Sequence, residues 1–238
     1  MTTFAAQSDP APASSTSHLD YIRQCLSLAE KSPPRPSNFR VGAMLVLRRD
    51  EAGPTDDDTV LSTGYTLELP GNTHAEQCCL SNYAAVHGVP EDRVGEVLPS
   101  SSSSSSDPTR KVILYVTMEP CGQRLSGNTP CVQRIIQTRQ GGKYRGIDKV
   151  YFGVKEPGTF VGESQGCRML TEAGVEWEHI GGLEKEILAV ATAGHEKKDG
   201  ENSGNVGTNI DDISPEERRR QEQLPRNPKK RMMEGTFG

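Results

Sequence analysis

Three residues far apart along the chain, His74, Cys121 and Cys131, constrain this sequence more than any other feature. His74 opens His74-Ala75-Glu76, and each cysteine follows a proline, Pro120 or Pro130, that stiffens the backbone ahead of it. One imidazole and two thiolates fill three corners of a tetrahedral zinc ion and leave the fourth to water, which a catalytic zinc needs and a structural zinc lacks. Glu76, two residues after His74, is the candidate for moving protons. Two residues apart is not a shared helical face, so His74 and Glu76 can converge only if the metal lies off the N-terminal end of their helix.

The segments around these residues read as alternating strands and helices. Leu19, Ile22, Leu26 and Ala29 recur at helical spacing, and Pro33-Pro34 ends the stripe. Residues 40–49 and 59–66 predict a hairpin across the polar turn 50–58. Residues 74–87 predict a helix with Thr73 as its cap and Gly88 as its stop; Thr73-His74-Ala75-Glu76 also has the spacing of a capping box, in which Glu76 would bond back to the Thr73 N–H. Residues 111–117 predict a third strand that runs into Glu119-Pro120-Cys121, and Pro130 suits the first position of a helix reaching about residue 139. Residues 148–154, 162–173 and 175–180 read as strand, helix and strand, a crossover that makes strands four and five parallel. Residues 183–193 predict a last helix.

One domain is expected over 18–193, with a serine-rich insert at about 95–109. The arm 1–17 and the charged tail 194–238 carry too little apolar surface to offset the entropy of ordering, and both are expected to be disordered. The opening residues have no basic region followed by a long apolar run, so the six cysteines are expected as free thiols in the cytoplasm rather than as three disulfides. Arg218-Arg219-Arg220 and Lys229-Lys230-Arg231 resemble a nuclear-localisation patch, although interspersed acids favour a solubilising tail. No run of eighteen apolar residues is present, so no membrane span is expected. A net charge of −5 and 5% aromatic residues argue against a nucleic-acid partner, which would need a basic track and stacking platforms.

His-x-Glu followed by Pro-Cys and a second cysteine resembles the signature of the zinc-dependent nucleobase deaminases, in which the glutamate shuttles protons and is not a ligand. The resemblance to the cytidine deaminase-like superfamily covers roughly residues 19–180. It implies a three-layer α/β/α fold around a five-stranded mixed sheet with parallel strands 4 and 5, with Zn(2+) on His74, Cys121 and Cys131 and Glu76 as catalytic residue. The stretch from Cys121 to Cys131 is longer than is usual in the superfamily. With Thr117-Met118-Glu119-Pro120-Cys121 and Gly71-Asn72-Thr73-His74-Ala75-Glu76-Gln77, it looks like the riboflavin-pathway deaminases.

That resemblance implies hydrolysis of the 2-amino group of 2,5-diamino-6-ribitylamino-4(3H)-pyrimidinone 5′-phosphate, a small phosphorylated pyrimidine, with loss of ammonia. Asn38, three residues before Val41, matches a base-contacting asparagine of related deaminases, although Phe39 stands where they carry proline. Asn72, Arg124, Ser126 and Asn128 are candidates for substrate contact, Arg124 through charge-assisted hydrogen bonds to phosphate. Some relatives fuse the deaminase to a reductase; the polar stretch after Gly194 fits none, and a stand-alone deaminase is expected. Related deaminases often dimerise, so a homodimer is among the expected arrangements. A deoxycytidylate-type or other nucleotide deaminase, a tRNA adenosine deaminase, and a zinc-stabilised interaction module without catalysis stay open at this point.

Overall fold

The computed structural model describes residues 13–50, 58–99, 109–124, 127–140, 146–155 and 164–195. Within them α1 (Ala13–Ala29), β1 (Gly42–Arg49), β2 (Thr59–Tyr65), α2 (Ala75–Val86), β3 (Arg110–Met118), α3 (Cys131–Gln137), β4 (Lys149–Val154), α4 (Gln165–Glu172), β5 (Glu176–His179) and α5 (Glu184–Ala191) follow in order, with a 3-10 helix over Glu91–Glu96. The serine run 100–106, Ser126 and both basic clusters of the tail lie outside the described residues.

The strands form one sheet in the order β2-β1-β3-β4-β5. β1 is antiparallel to β2 and to β3, while β3 with β4 and β4 with β5 are parallel, as the helical crossover requires. β3 lies in the middle and is buried on both faces, which is why it reads as a continuous apolar run. Its Val112, Leu114 and Val116 pack with Leu80 of α2, Ile135 of α3 and Leu170 of α4. Its Ile113 and Tyr115 pack with Ile22 and Cys25 of α1 and Ile187 of α5. The result is the three-layer α/β/α arrangement, with α2, α3 and α4 on one face and α1 and α5 on the other.

A glycine decides how closely α2 can approach. A Cβ built on Gly64 of β2 would lie 2.3 Å from the Cys79 N and 2.5 Å from the Ala75 O, so the strand seats the start of α2 only where it has no side chain.

Two expectations change in extent. α1 starts at Ala13, inside the stretch assigned to a disordered arm, because lengthening a helix that is already anchored avoids the cost of nucleating a new one. Residues 95–98, read as the front of the insert, belong to the folded domain: Val94 and Leu98 are buried against the α2 face and Gly95 abuts the Thr138 carbonyl. Val94, Val97 and Leu98 carry the three- and four-residue spacing that betrays this.

The α1 face holds a buried polar cluster. Arg48 is fully buried, pairs with Asp58 at 3.2 Å and donates to the Tyr115 hydroxyl at 3.0 Å. His18 Nδ1 lies 2.9 Å from that hydroxyl and 3.4 Å from Arg48 Nη1, which can only donate, so Nδ1 is the accepting, unprotonated ring nitrogen. Burial first, then the Arg48 charge, holds the His18 pKa below its ordinary value, with Lys149 acting the same way and Asp50 and Glu178 opposing.

A histidine with a depressed folded-state pKa binds fewer protons folded than unfolded. Its stabilising contribution is therefore complete above the ordinary value of about 6.5 and falls away as the pH drops toward the folded-state value. Thermal melts of wild type and His18→Gln should accordingly show the advantage of the wild type shrinking between about pH 7.5 and pH 5. A difference in melting temperature that does not change with pH would show that His18 does not titrate on unfolding.

Candidate active site

The C-terminal end of β3 and the first turns of α2 and α3 meet on the α2 face of the sheet. His74 is the N-cap of α2, with an extended backbone, φ −88° and ψ 160°, and no side-chain cap bond. Its ring is therefore free to turn toward β3. Thr73 is not the cap: its hydroxyl donates to the Leu69 carbonyl at 2.9 Å and its N–H to Gly71. The Thr73 N–H is thus already used, and Glu76 does not close a capping box. The loop leading in contains Leu67, the non-glycine residue with positive φ among those described, at 64°.

α3 begins at Cys131, with Pro130 as its N-cap rather than its first residue. Cys121 meets this helix end twice. The Cys131 N–H donates to Cys121 Sγ at 3.4 Å, and the Val132 N–H donates to the Cys121 carbonyl at 3.2 Å. Two N–H groups that a helix start leaves without partners are thereby satisfied across the loop.

The three candidate ligands converge. His74 Nδ1 lies 3.6 Å from Cys121 Sγ and 3.4 Å from Cys131 Sγ, and all three donor atoms fall within 4.8 Å of one another. A tetrahedral zinc with Zn–S near 2.3 Å and Zn–N near 2.05 Å separates nitrogen from sulfur by about 3.6 Å, so the triangle fits that ion. Both sulfurs are buried. Their mutual hydrogen bond pushes Cys121 down, with help from His74, while the same pairing and burial push Cys131 up. A divalent cation between them would remove that inequality by favouring both thiolates.

Glu76 stands beside this triangle. It is buried at 3% exposure, and its Oε2 accepts from the Cys131 thiol at 3.4 Å. Burial pushes its pKa up, the Cys121 charge adds to this, and His74 opposes it. A carboxyl raised in this way can hold a proton as well as release it, the property a general acid and base needs.

Three of the other candidates form one connected rim. The Asn38 amide donates to Asn72 Oδ1 at 2.7 Å, and Arg124 donates to the Asn72 carbonyl at 2.8 Å and to Gln77 Oε1 at 3.4 Å. Arg124 is buried at 8% exposure and clamps the Cys121–Cys131 loop to the start of α2. Asn128 is exposed in that loop, and Ser126 is not among the described residues.

Sequence reasoning missed two supports of the site. Arg134 of α3 donates to the Thr129 carbonyl at 3.2 Å and pairs with Glu91, which accepts from Ser81 of α2. Glu119, buried at 4% exposure, accepts from Ser164, whose hydroxyl also caps α4 by accepting from the Cys167 N–H. The Ser-x-x-Cys start of α4 could have pointed to its cap; nothing local points to the Glu119 contact.

The family described as the cytidine and deoxycytidylate deaminase zinc-binding region matches residues 15–147, more than half of the chain and all of the site. The chain belongs to this family. Zinc is accordingly its metal, and the His-Cys-Cys triangle is where the described residues can hold one.

A crystal structure of Aspergillus oryzae Rib2 deaminase, a C-terminal deletion mutant at pH 6.5, is similar at 67% identity over 75% of this chain and 92% of that one, with a TM-score of 0.67. The same protein in complex with DARIPP is similar at 68% identity over 76% and 92% of the two chains, with a TM-score of 0.68. Diaminohydroxyphosphoribosylamino-pyrimidine deaminase of Schizosaccharomyces pombe is 29% identical over 76% of this chain but only 36% of its own length. The chain thus spans about a third of that relative. No described helix is long and apolar enough to cross a membrane.

Proposed function

We propose that the chain hydrolyses the 2-amino group of 2,5-diamino-6-ribitylamino-4(3H)-pyrimidinone 5′-phosphate, releasing ammonia, as a step of riboflavin biosynthesis. The observation that carries this reading is the 68% identity, over 76% of this chain, to a deaminase crystallised with DARIPP, beside the meeting of His74, Cys121 and Cys131 next to Glu76.

In this reading His74, Cys121 and Cys131 hold zinc. Zinc held there would supply Lewis acidity, enough to bring the pKa of a water it polarises from about 15.7 to about 7. Glu76 takes one proton of the attacking water and passes it to the ring nitrogen beside the amine-bearing carbon, then moves the second, from the hydroxyl now on that carbon, to the departing amine as the carbonyl forms. The carbon gains an oxygen and loses nitrogen as ammonia. Asn38 and Asn72 face the pyrimidine, while Arg124 and Asn128 serve its phosphate and ribityl hydroxyls; Ser126, assigned the same role, lies outside the described residues. The deaminase domain runs from α1 to His195, wider at both ends than the 18–193 expected, with the charged stretch 196–238 after it. Six free thiols fit the reducing cytoplasm. A homodimer belongs to the same reading and is checked by mass in solution; so do a nuclear pool set by the basic tail and the absence of a nucleic-acid partner.

Purified full chain should release ammonia from the ribitylamino substrate much faster than from its ribosylamino counterpart or from deoxycytidylate. Preferential turnover of deoxycytidylate would end the assignment and point to a nucleotide deaminase of the same family.

A further inference from the structure

The last described residue, His195, sits behind the pocket rim. The Asn38 carbonyl can only accept, so the His195 nitrogen 3.1 Å from it, Nε2, must carry the proton and donate. The His195 ring packs on Phe39 at 4.9 Å between centroids, and Phe39 is itself buried against α1 and α5. Two backbone contacts hold the same seam. The Arg40 N–H donates to the Ala191 carbonyl at 3.0 Å, and a Cβ on Gly194 would come within 2.8 Å of the Arg35 N. Gly194 has φ of 99°, a left-handed conformation that turns the chain end onto the 34–40 loop.

On its other side this loop faces the site. Ser37 donates to Asn38 Oδ1 at 2.9 Å, and the Asn38 amide donates to Asn72, whose carbonyl Arg124 holds. The Asn38 side-chain amide is thus held in front by Asn72 and Ser37, and the Asn38 backbone carbonyl is held behind by His195. Residue 195 lies beyond the 15–147 region that the family match covers.

We propose that His195 is a positioning residue: by fixing the Asn38 peptide from behind, it sets the hydrogen-bonding edge that Asn38 and Asn72 present to the pyrimidine. The inference rests on the reading above, in which those two asparagines meet the substrate. His195 touches none of the metal ligands, so its loss acts on recognition and leaves the chemical step alone.

The test compares full-length wild type, His195→Ala and His195→Gln. The glutamine amide retains a donor of similar reach. His195→Ala should raise KM about tenfold, the effect of one lost orienting hydrogen bond, with kcat within about twofold and zinc content unchanged. His195→Gln should recover most of that loss.

In the same samples without substrate, the side-chain amide resonances of Asn38 should move in His195→Ala and return toward wild type in His195→Gln. Unmoved Asn38 resonances, an equal fall of kcat in both variants, or a glutamine variant no better than alanine would overturn the proposal. Failure of the wild type to turn over the diaminopyrimidine would instead defeat the proposed function, and the resonance test of the His195 to Asn38 link would still stand.

Discussion

Glu76→Gln should keep one zinc per chain and lower kcat by about a thousandfold or more, within the range that a positioned acid and base contributes. The substitution conserves shape and volume beside Cys131, whose Sγ lies 3.4 Å from Glu76 Oε2. It removes the one property the reaction needs from this position, the ability to take up a proton and give it back. The carboxyl is buried next to two sulfurs and one imidazole, so bulk water is poorly placed to substitute for it. Ammonia release measured beside elemental zinc analysis decides the matter. Full activity in a zinc-replete Glu76→Gln protein would rule out the shuttle and require another proton carrier.

Cys121→Ala should have a second, broader effect: zinc below a tenth of stoichiometric, no detectable turnover, and a lower melting temperature. Activity depends on a pKa change at water that amounts to roughly 12 kcal/mol and comes from the metal, so it goes when the metal is no longer held. The thermal effect has a separate cause. Cys121 also accepts from the Cys131 and Val132 N–H groups, so its sulfur links the loop to the first turn of α3. Loss of the side chain leaves the Cys131 N–H without that partner in a buried place, a penalty of about 1–3 kcal/mol. Chelation of the wild type should reproduce the loss of activity, and added zinc should restore it; the variant should respond to neither. Stoichiometric zinc in Cys121→Ala would show that Cys121 is not a ligand.

How much of this could be read from residues alone depended on the range of the interaction. The parallel β4 and β5 followed from the length of the crossover between them, and the buried β3 from its unbroken apolar run. The convergence of His74, Cys121 and Cys131 was legible because each stands at the end of an element with its own local marks. The Thr73 cap misled, since a threonine at that spacing has several partners within reach and here takes the Leu69 carbonyl. Pro130 was placed one residue too far inside α3 for a similar reason, as proline suits both positions. The links of Arg134 to Glu91, Glu119 to Ser164 and His195 to Asn38 left no local trace. Each joins residues 43, 45 or 157 positions apart, and only the packed sheet determines that they meet.

β3 also acts as a partition. Its Tyr115 side chain reaches Arg48 and His18 under α1, whereas its C-terminal end delivers Cys121 to the opposite layer. Perturbations on the two sides share no partner, and their free-energy effects should sum when combined in one molecule. The protein thus has a region where robustness can drift from generation to generation while turnover stays fixed, and His18 and its neighbours are the place to look for variation among organisms living at different acidities.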